Sequence, residues 1–332
     1  MSNKILVTGS EGFIGSHLVE SLVRKGKKVD ALVKYNSFSN WGWLDTLHPD
    51  IAKNVNVLMA DIRDPHHMRR LVEGKDVVFH LAALIAIPHS YSSPHSYVET
   101  NVIGTLNLLE ASRAAGVAKF IHTSTSEVYG SAKYVPINEN HPLNAQSPYA
   151  ASKIGADQIA LSFANSFDLD VTIVRPFNTY GPRQSSRAVI PTILTQILNG
   201  ARKVKVGSLY PTRDFTFVSD TVEGFLLASK KGNTGDVVNL GSGFEISIHD
   251  LAIKIADLLN VEISFDIESI RERPKKSEVL RLFADNSKAR ELLGWKPNFS
   301  GAHGLEEGLK QTINWYSNPL NLSQYKAEIF NT

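Results

Sequence analysis

The segment KILVTGSEGFIGSHLVESLVRKG, residues 4 to 26, does most to restrict what this chain can fold into. KILVT, Lys4 to Thr8, is a run of strand formers. Gly9, Gly12 and Gly15 follow as G-x-x-G-x-x-G, and Ile14, Leu18 and Leu22, with Val19 and Val23 beside them, then recur at helical spacing until Gly26 offers a stop. A strand that feeds a helix through three glycines is a βα unit. Glycine permits the tight turn and lets an anion approach the backbone at a helix N-terminus, where unpaired N–H groups and the helix dipole favour negative charge. Alone, such a triplet is equally a plain strand-to-helix turn; in the first βα unit it points to the pyrophosphate of a dinucleotide.

The rhythm of that unit continues. VDALV from Val29, VNVLM from Val55, DVVFHLA from Asp76, KFIHTS from Lys119 and VTIV from Val171 are apolar runs separated by helical periodicity. Runs of this kind suit strands covered on both faces, and predict an α/β fold with a Rossmann-like doubly wound parallel sheet. After Arg175 the pattern loosens into RPFNTYGPRQ and GSLYPTRDF before a late strand, DVVNLGSG, and an amphipathic stretch from Ile248 to Leu259. The expected organisation is a dinucleotide-binding domain over 1–175 with the late strand near 236–243, and a smaller interleaved C-terminal substrate domain over 176–235 and 244–332. ARKVKVG, from Ala201, reads as a charged surface ribbon. No repeat or low-complexity segment interrupts the chain.

Composition excludes several functions. Among 332 residues, 35 Lys and Arg face 33 Asp and Glu, so no overall field attracts nucleic acid or an anionic membrane, and an anionic ligand needs local groups. The absence of cysteine removes disulfides, thiolate metal sites and thiol nucleophiles, and no metal site is expected. A strand starting near Lys4 leaves no room for a leader, and no apolar run reaches the ~18 residues of a membrane span, so a cytoplasmic protein is expected.

Two further positions bear on the cofactor. Asp61 and Ile62, just after the third strand, either lie near the adenine or belong to a loop whose acid caps the next helix. At the end of the second strand, where a carboxylate normally holds the NAD ribose, the chain reads Val33-Lys34-Tyr35-Asn36. Lys34 is either a partner for the 2′-phosphate of NADP or a solvated lysine. The reading is therefore NAD or NADP, leaning to NADP.

Catalytic chemistry enters with Tyr149-x-x-x-Lys153 in SPYAASKIGAD. Four-residue spacing puts both side chains on one helix face, where an ammonium favours the phenolate and lowers the phenol pKa, as a general base for a substrate alcohol requires. Such pairs are common on surfaces, but this one follows a glycine fingerprint and is preceded by Thr125.

Taken together, TGSEGFIG, DVVFHLAA, YVETNVIGTLNLLEA, STSEVYG, YAASK, RPFNTYGPR, RDFTFVSD and NSKARELLGWKP resemble the extended short-chain dehydrogenases/reductases of the nucleotide-sugar epimerase/dehydratase family over nearly the whole chain. HLAALIAIPHSYSSPHSYVETNV is similar to LegB-type 4,6-dehydratases, which begin legionaminic acid synthesis, within cell-surface polysaccharide biosynthesis, from a nucleotide-linked N-acetylglucosamine. The resemblance implies cofactor contacts from Gly9, Gly12, Phe13, Ile14, Gly15, Lys34, Asp61, Ile62, Leu81, Ala82 and Ala83, with Tyr149 and Lys153. It implies Thr125 as partner of the sugar 4-hydroxyl, Tyr149 as its base and Lys153 on the nicotinamide ribose. Asn178, Arg213, Arg273 and Glu278 would hold the nucleotide diphosphate and ribose, and Ile85 would face the sugar. Asn178 is otherwise a turn brace, Arg213 a partner of Asp214, and Arg273 one of five basic residues on a solvated loop. A homodimer built on helices near Ser96 to Ala115 and Pro148 to Phe167 is implied as well.

Glu127 separates the chemistries in that family. A C4 ketone acidifies the neighbouring C5–H, and a dehydratase uses a carboxylate to exploit that acidity, whereas a 4-epimerase needs none. The triplet Thr125-Ser126-Glu127 matches GDP-mannose dehydratases and UDP-xylose synthases, leaving either Glu127 itself or Ser126 through a water to protonate the departing hydroxyl. The expected function is a 4,6-dehydratase of UDP- or GDP-linked N-acetylglucosamine. A UDP-glucuronate decarboxylase is the nearest rival, less suited to the apolar Ala83 to Pro88 run. A 4-epimerase, disfavoured by Glu127, and a silent cofactor-binding sensor stand behind it.

Overall fold

Each strand-like run pairs with its neighbours, because a buried strand must satisfy its backbone groups within a sheet. The structure is a computed structural model and describes residues 4–326; the outermost residues of the two expected domains, 1–3 and 327–332, lie outside the described residues. Strands β1 (Ile5–Thr8), β2 (Val29–Val33), β3 (Val55–Met59), β4 (Val77–His80), β5 (Lys119–Thr123) and β6 (Val171–Pro176) come in sequence, followed by β7 (Asn178–Tyr180), β8 (Lys203–Val206), β9 (Thr212–Phe217), β10 (Val237–Leu240), β11 (Glu245–Ser247), β12 (Ser264–Ile267) and β13 (Arg281–Leu282). Seven of them form one parallel sheet in the order β10-β6-β5-β4-β1-β2-β3. This is the Rossmann-like doubly wound order, with β10 added beyond β6.

Helices α1 (Phe13–Arg24), α2 (Pro49–Ala52), α3 (Pro65–Val72), α4 (Ile87–Ser92), α5 (Pro94–Tyr97), α6 (Gly104–Ala115), α7 (Pro148–Phe167), α8 (Val189–Leu198) and α9 (Val218–Lys231) lie in the crossovers and in the chain after them. On one face of the sheet, α3, α6 and α7 bury Met68, Leu108, Leu109 and Phe163 against Leu6, Phe120 and Ile173. On the other, α1 packs beside α9 over Val7, Ile121 and Val238. Gly26, with φ +77°, closes α1 by donating its N–H to Val23, as its place in the sequence predicts. The stretch from Ser96 to Ala115 is one helical path, α5 running through a π-turn over Val98–Ile103 into α6.

Beyond β6, β9 is the centre of a small sheet, flanked by β11, antiparallel, and β13, parallel, with β7 also pairing to it. ARKVKVG departs from expectation. It forms β8, paired with β12, and its alternation sends Lys203 and Lys205 outward while Val204 and Val206 enter the core, so it is a half-buried strand rather than a surface ribbon. The amphipathic stretch is α10 (Ile248–Leu258), and α11 (Gly301–Tyr316) buries Leu305 and Leu309 in the same core as Val7.

Candidate active site

The order of the sheet reverses between β1 and β4, and at the carboxyl ends of the strands there lies a cleft of about 540 Å³. Its floor depends on two glycines. Gly9 has φ +68°, and a Cβ on it would stand 2.8 Å from the Ala82 nitrogen; a Cβ on Gly15 would stand 2.1 Å from the Gly9 carbonyl oxygen. The turn is locked to the loop after β4 by Thr8, whose Oγ1 accepts the N–H groups of Leu81 (3.1 Å) and Ala82 (3.0 Å) and bonds the buried ring of His80, which reaches on to Thr105 at 2.9 Å.

Gly9, Gly12, Phe13, Ile14, Gly15, Lys34, Asp61, Ile62, Leu81, Ala82, Ala83, Tyr149 and Lys153 all line this cleft. Cradles that a Cβ would fill, the N-terminus of α1 and a buried Glu11 carboxylate oxygen without a hydrogen-bond partner make it fit a nicotinamide dinucleotide. The capping role considered for Asp61 falls to its neighbour: Asp64 caps α3, accepting from His66 and His67 at 3.0 Å each. Asp61 is bonded instead by Arg63, which lowers its pKa.

At the other end stands the candidate catalytic constellation. After β5 the extended residue Thr125 caps a short 3₁₀ turn, Ser126–Tyr129, its Oγ1 accepting the Glu127 N–H at 3.2 Å. Ser147 caps α7 in the same manner, at Ala150, which fixes Tyr149 in the first turn and Lys153 one turn on. The Tyr149 phenol lies in the same cleft as Thr125, close enough for the threonine hydroxyl to act on it, and meets the Tyr97 ring edge-on at 6.3 Å.

Burial governs the protonation of the pair. It pushes the Tyr149 phenol up, Thr125 opposing, and lowers the Lys153 ammonium to about 8, Asp157 opposing. The Lys153 ammonium donates to the Thr123 carbonyl at 2.6 Å, and desolvation is the largest influence on the phenol. Behind Lys153 lies a buried ion pair, Asp157 with Arg175 at 3.0 Å, braced by Ser124 at 2.7 Å.

Glu127, 9% exposed, lines the cleft beside Thr125, and Arg273 grips both of its carboxylate oxygens at 3.3 to 3.4 Å. Ser126 is buried and is not among the lining residues. The five basic residues of RERPKKSEVLR part ways: Arg271 goes to Glu268, Arg281 to Glu245, Lys275 and Lys276 to solvent, and Arg273 to the cleft. Arg213 pairs with Glu278 at 3.3 Å rather than with Asp214; both are buried and stand behind the lining, within electrostatic reach of Arg273 and Glu127. Asn178 does line the cleft, and its Oδ1 is buried without a partner, which a mere turn brace would not leave.

All of Ala83 to Pro88 lines the cleft, with Ile85 56% exposed into it or to solvent. Sequence reasoning missed what holds that run. Asn101, in the YVETNVIG segment, accepts the Leu84 N–H at 2.8 Å and donates to the Leu84 carbonyl and to Ser152 on α7 at 2.9 Å. An asparagine amid helix formers was the available signal. Gln184 and Arg187 also line the cleft, from a loop whose sequence carries no periodic cue. Among the described residues no cluster of His, Asp or Glu suits a metal, and no helix is long and apolar enough to cross a membrane.

The profile of a family described as GDP-mannose 4,6 dehydratase matches residues 6–309. The chain belongs to the epimerase/dehydratase family of extended short-chain dehydrogenases/reductases. A UDP-glucose 4-epimerase of Mycolicibacterium smegmatis is 36% identical over 321 residues, covering 95% of this chain and 99% of that one. A dTDP-glucose 4,6-dehydratase double mutant from Streptomyces venezuelae, solved with NAD bound, superposes with a TM-score of 0.83 at 31% identity, covering 95% and 97% of the two chains. A UDP-N-acetylglucosamine 4-epimerase from Methanobrevibacter ruminantium, in complex with UDP-N-acetylmuramic acid, gives a TM-score of 0.85 at 31% identity over 98% and 100%. Membership in this family makes the protein an enzyme of nucleotide-sugar chemistry, in which dehydratases and epimerases share one fold.

Proposed function

We propose that the protein is a 4,6-dehydratase that converts a UDP- or GDP-linked N-acetylglucosamine to its 4-keto-6-deoxy sugar. The observation that carries this reading is the Glu127 carboxylate in the same cleft as Thr125, Tyr149 and Lys153. Thr125 and Tyr149 hold the sugar 4-hydroxyl, and Tyr149 takes its proton as C4 is oxidised. A nicotinamide dinucleotide, when bound, would take the hydride of C4 and give it back at C6 as the hydroxyl departs, while C5 regains a proton, exchangeable with solvent, in place of the one lost, so the cofactor needs no exchange between turnovers. Glu127 removes the proton from C5, now acidic beside the ketone. Ser126 is buried away from the lining, which favours Glu127 itself as the acid that protonates the C6 hydroxyl as it leaves.

Asn178, Arg273, Arg213 and Glu278 form the diphosphate and ribose end, Arg213 acting through its pairing with Glu278 and its field at Arg273. The apolar Ala83 to Pro88 run supports an uncharged C6 and an acetamido methyl over a C6 carboxylate, hence a dehydratase over a decarboxylase. In this reading residues 1–175 with the strand near 236–243 carry the cofactor, and 176–235 with 244–332 the nucleotide sugar. The enzyme would act as a cytoplasmic homodimer, opening a route to legionaminic acid.

The test is incubation of purified protein with UDP- and GDP-N-acetylglucosamine in deuterated water, read by mass spectrometry and NMR. Loss of water with deuterium at C5 is the expected result. An unchanged sugar mass with a scrambled C4 would make the protein an epimerase.

A further inference from the structure

Glu11 stands between the first two glycines of the turn, a position to which the reaction above gives no task. Its backbone is held firmly: its carbonyl accepts the Trp43 N–H at 3.1 Å, and a Cβ on Gly42 would lie 2.6 Å from that oxygen. From there the side chain reaches across to the end of β2. Oε1 accepts the Lys34 backbone N–H at 3.0 Å, while Oε2 is buried and has no hydrogen-bond partner. Glu11 lines the cleft together with Gly12, Leu32, Val33 and Lys34. This is the place where a doubly wound fold holds the adenosine ribose, and where the carboxyl end of β2, Val33-Lys34-Tyr35-Asn36, offers no carboxylate.

A buried carboxylate oxygen lacking a donor is a costly arrangement whose natural complement is a hydroxyl. We propose that Glu11 supplies, from the glycine turn, the ribose-binding carboxylate that β2 lacks, so that the cleft selects a dinucleotide with a free 2′-hydroxyl, NAD, and rejects one with a 2′-phosphate, NADP. The assignment rests on the nicotinamide-dinucleotide part of the proposed function, and not on the dehydration step.

Lys34 argued for the opposite choice in the sequence, and the geometry removes its weight. Its side chain is exposed, so a phosphate contact there would be screened by water, whereas Glu11 meets the ligand from within the wall. The nearby Arg63 is committed, with Asp61 at 2.6 Å and Glu99 at 3.5 Å. A 2′-phosphate would thus bring its charge against a carboxylate with no cation aimed to offset it.

The experiment is a titration of the purified full-length chain, freed of nucleotide, with NADH and with NADPH, followed by calorimetry in the absence of sugar. Wild type should bind NADH at least about 100-fold more tightly than NADPH. Glu11→Gln keeps an acceptor for the Lys34 N–H and should narrow that ratio to about tenfold or less, through tighter NADPH binding. Lys34→Ala should leave the ratio within about threefold of wild type. Equal affinities in wild type, or an unchanged ratio in Glu11→Gln, would overturn the assignment. Competition between ADP-ribose and its 2′-phosphate on wild type needs no variant, and tighter binding of the phosphorylated form would overturn it equally. Failure to bind either dinucleotide would bring down the cofactor reading and this assignment with it; NAD-selective binding without any dehydration would uphold Glu11 and defeat only the dehydratase.

Discussion

Tyr149, Thr125 and Glu127 occupy one wall of the cleft, yet each depends on a different local device: a helix N-terminus, an extended cap residue and a 3₁₀ turn. Their roles separate under mutation. Tyr149→Phe should lower kcat by about 10²- to 10⁴-fold with the fold unchanged, as seen in turnover beside circular dichroism. Glu127→Gln should abolish deuterium entry at C5 while transient cofactor reduction persists in stopped-flow absorbance; loss of both signals would place Glu127 in binding instead. Lys153, lowered to about 8 by burial, predicts that activity requiring its ammonium is present below that pH and falls as pH rises through it. Lys153→Arg should move the fall to higher pH in a kcat/KM profile. Because the unfolded lysine binds its proton more tightly, the same group makes stability rise with pH between about 8 and the ordinary 10.5. At this scale spacing and motif mark Tyr149, Lys153 and Glu127, and the structure brings the three into one cleft. The sequence did not tell the protonation of Tyr149 and Lys153, which burial shifts, nor which of five basic residues would reach Glu127.

Strands and helices were more legible than the contacts between them. Apolar runs of four to six residues mark β1, β2, β4, β5 and β6 because these strands are covered on both faces, whereas β3, at the sheet edge, keeps a mostly apolar run with Asn56 and Met59 exposed; periodicity marks α1 and α10. The lysines of ARKVKVG concealed β8, since two exposed charges in alternation resemble a solvated ribbon until the partner strand β12 is known. Asn101 was equally hidden, because its partners Leu84 and Ser152 are brought together by tertiary packing. Two predictions belong here. Gly15→Ala would force a Cβ into the Gly9 carbonyl, so the turn must shift, and nucleotide binding should fall with only modest loss of thermal stability. Asp157→Ala leaves Arg175 buried and unpaired, and should cost about 3–5 kcal/mol in urea denaturation.

For the whole molecule, the helical path through α5 and α6 together with α7 carries exposed Val98, Ile103 and Phe167. Sedimentation at micromolar concentration should give a dimer, and a monomer there would refute the four-helix pairing drawn from the resemblance. The sequence suggested interleaving by placing a strand-like run after residue 235; the structure gives it a partner, β10 lying against β6 in register from Val237 opposite Ile173. That pairing bears on how the gene could be cut. A fragment ending near residue 176 would present β6 as a bare edge, an invitation to pair with a second copy, and would tear a core in which Val174, Phe225 and Leu309 are joined. Neither half can be borrowed as an off-the-shelf module, and transplanting the sugar specificity of a relative onto this chain would have to proceed by grafting loops onto an intact scaffold rather than by swapping ends.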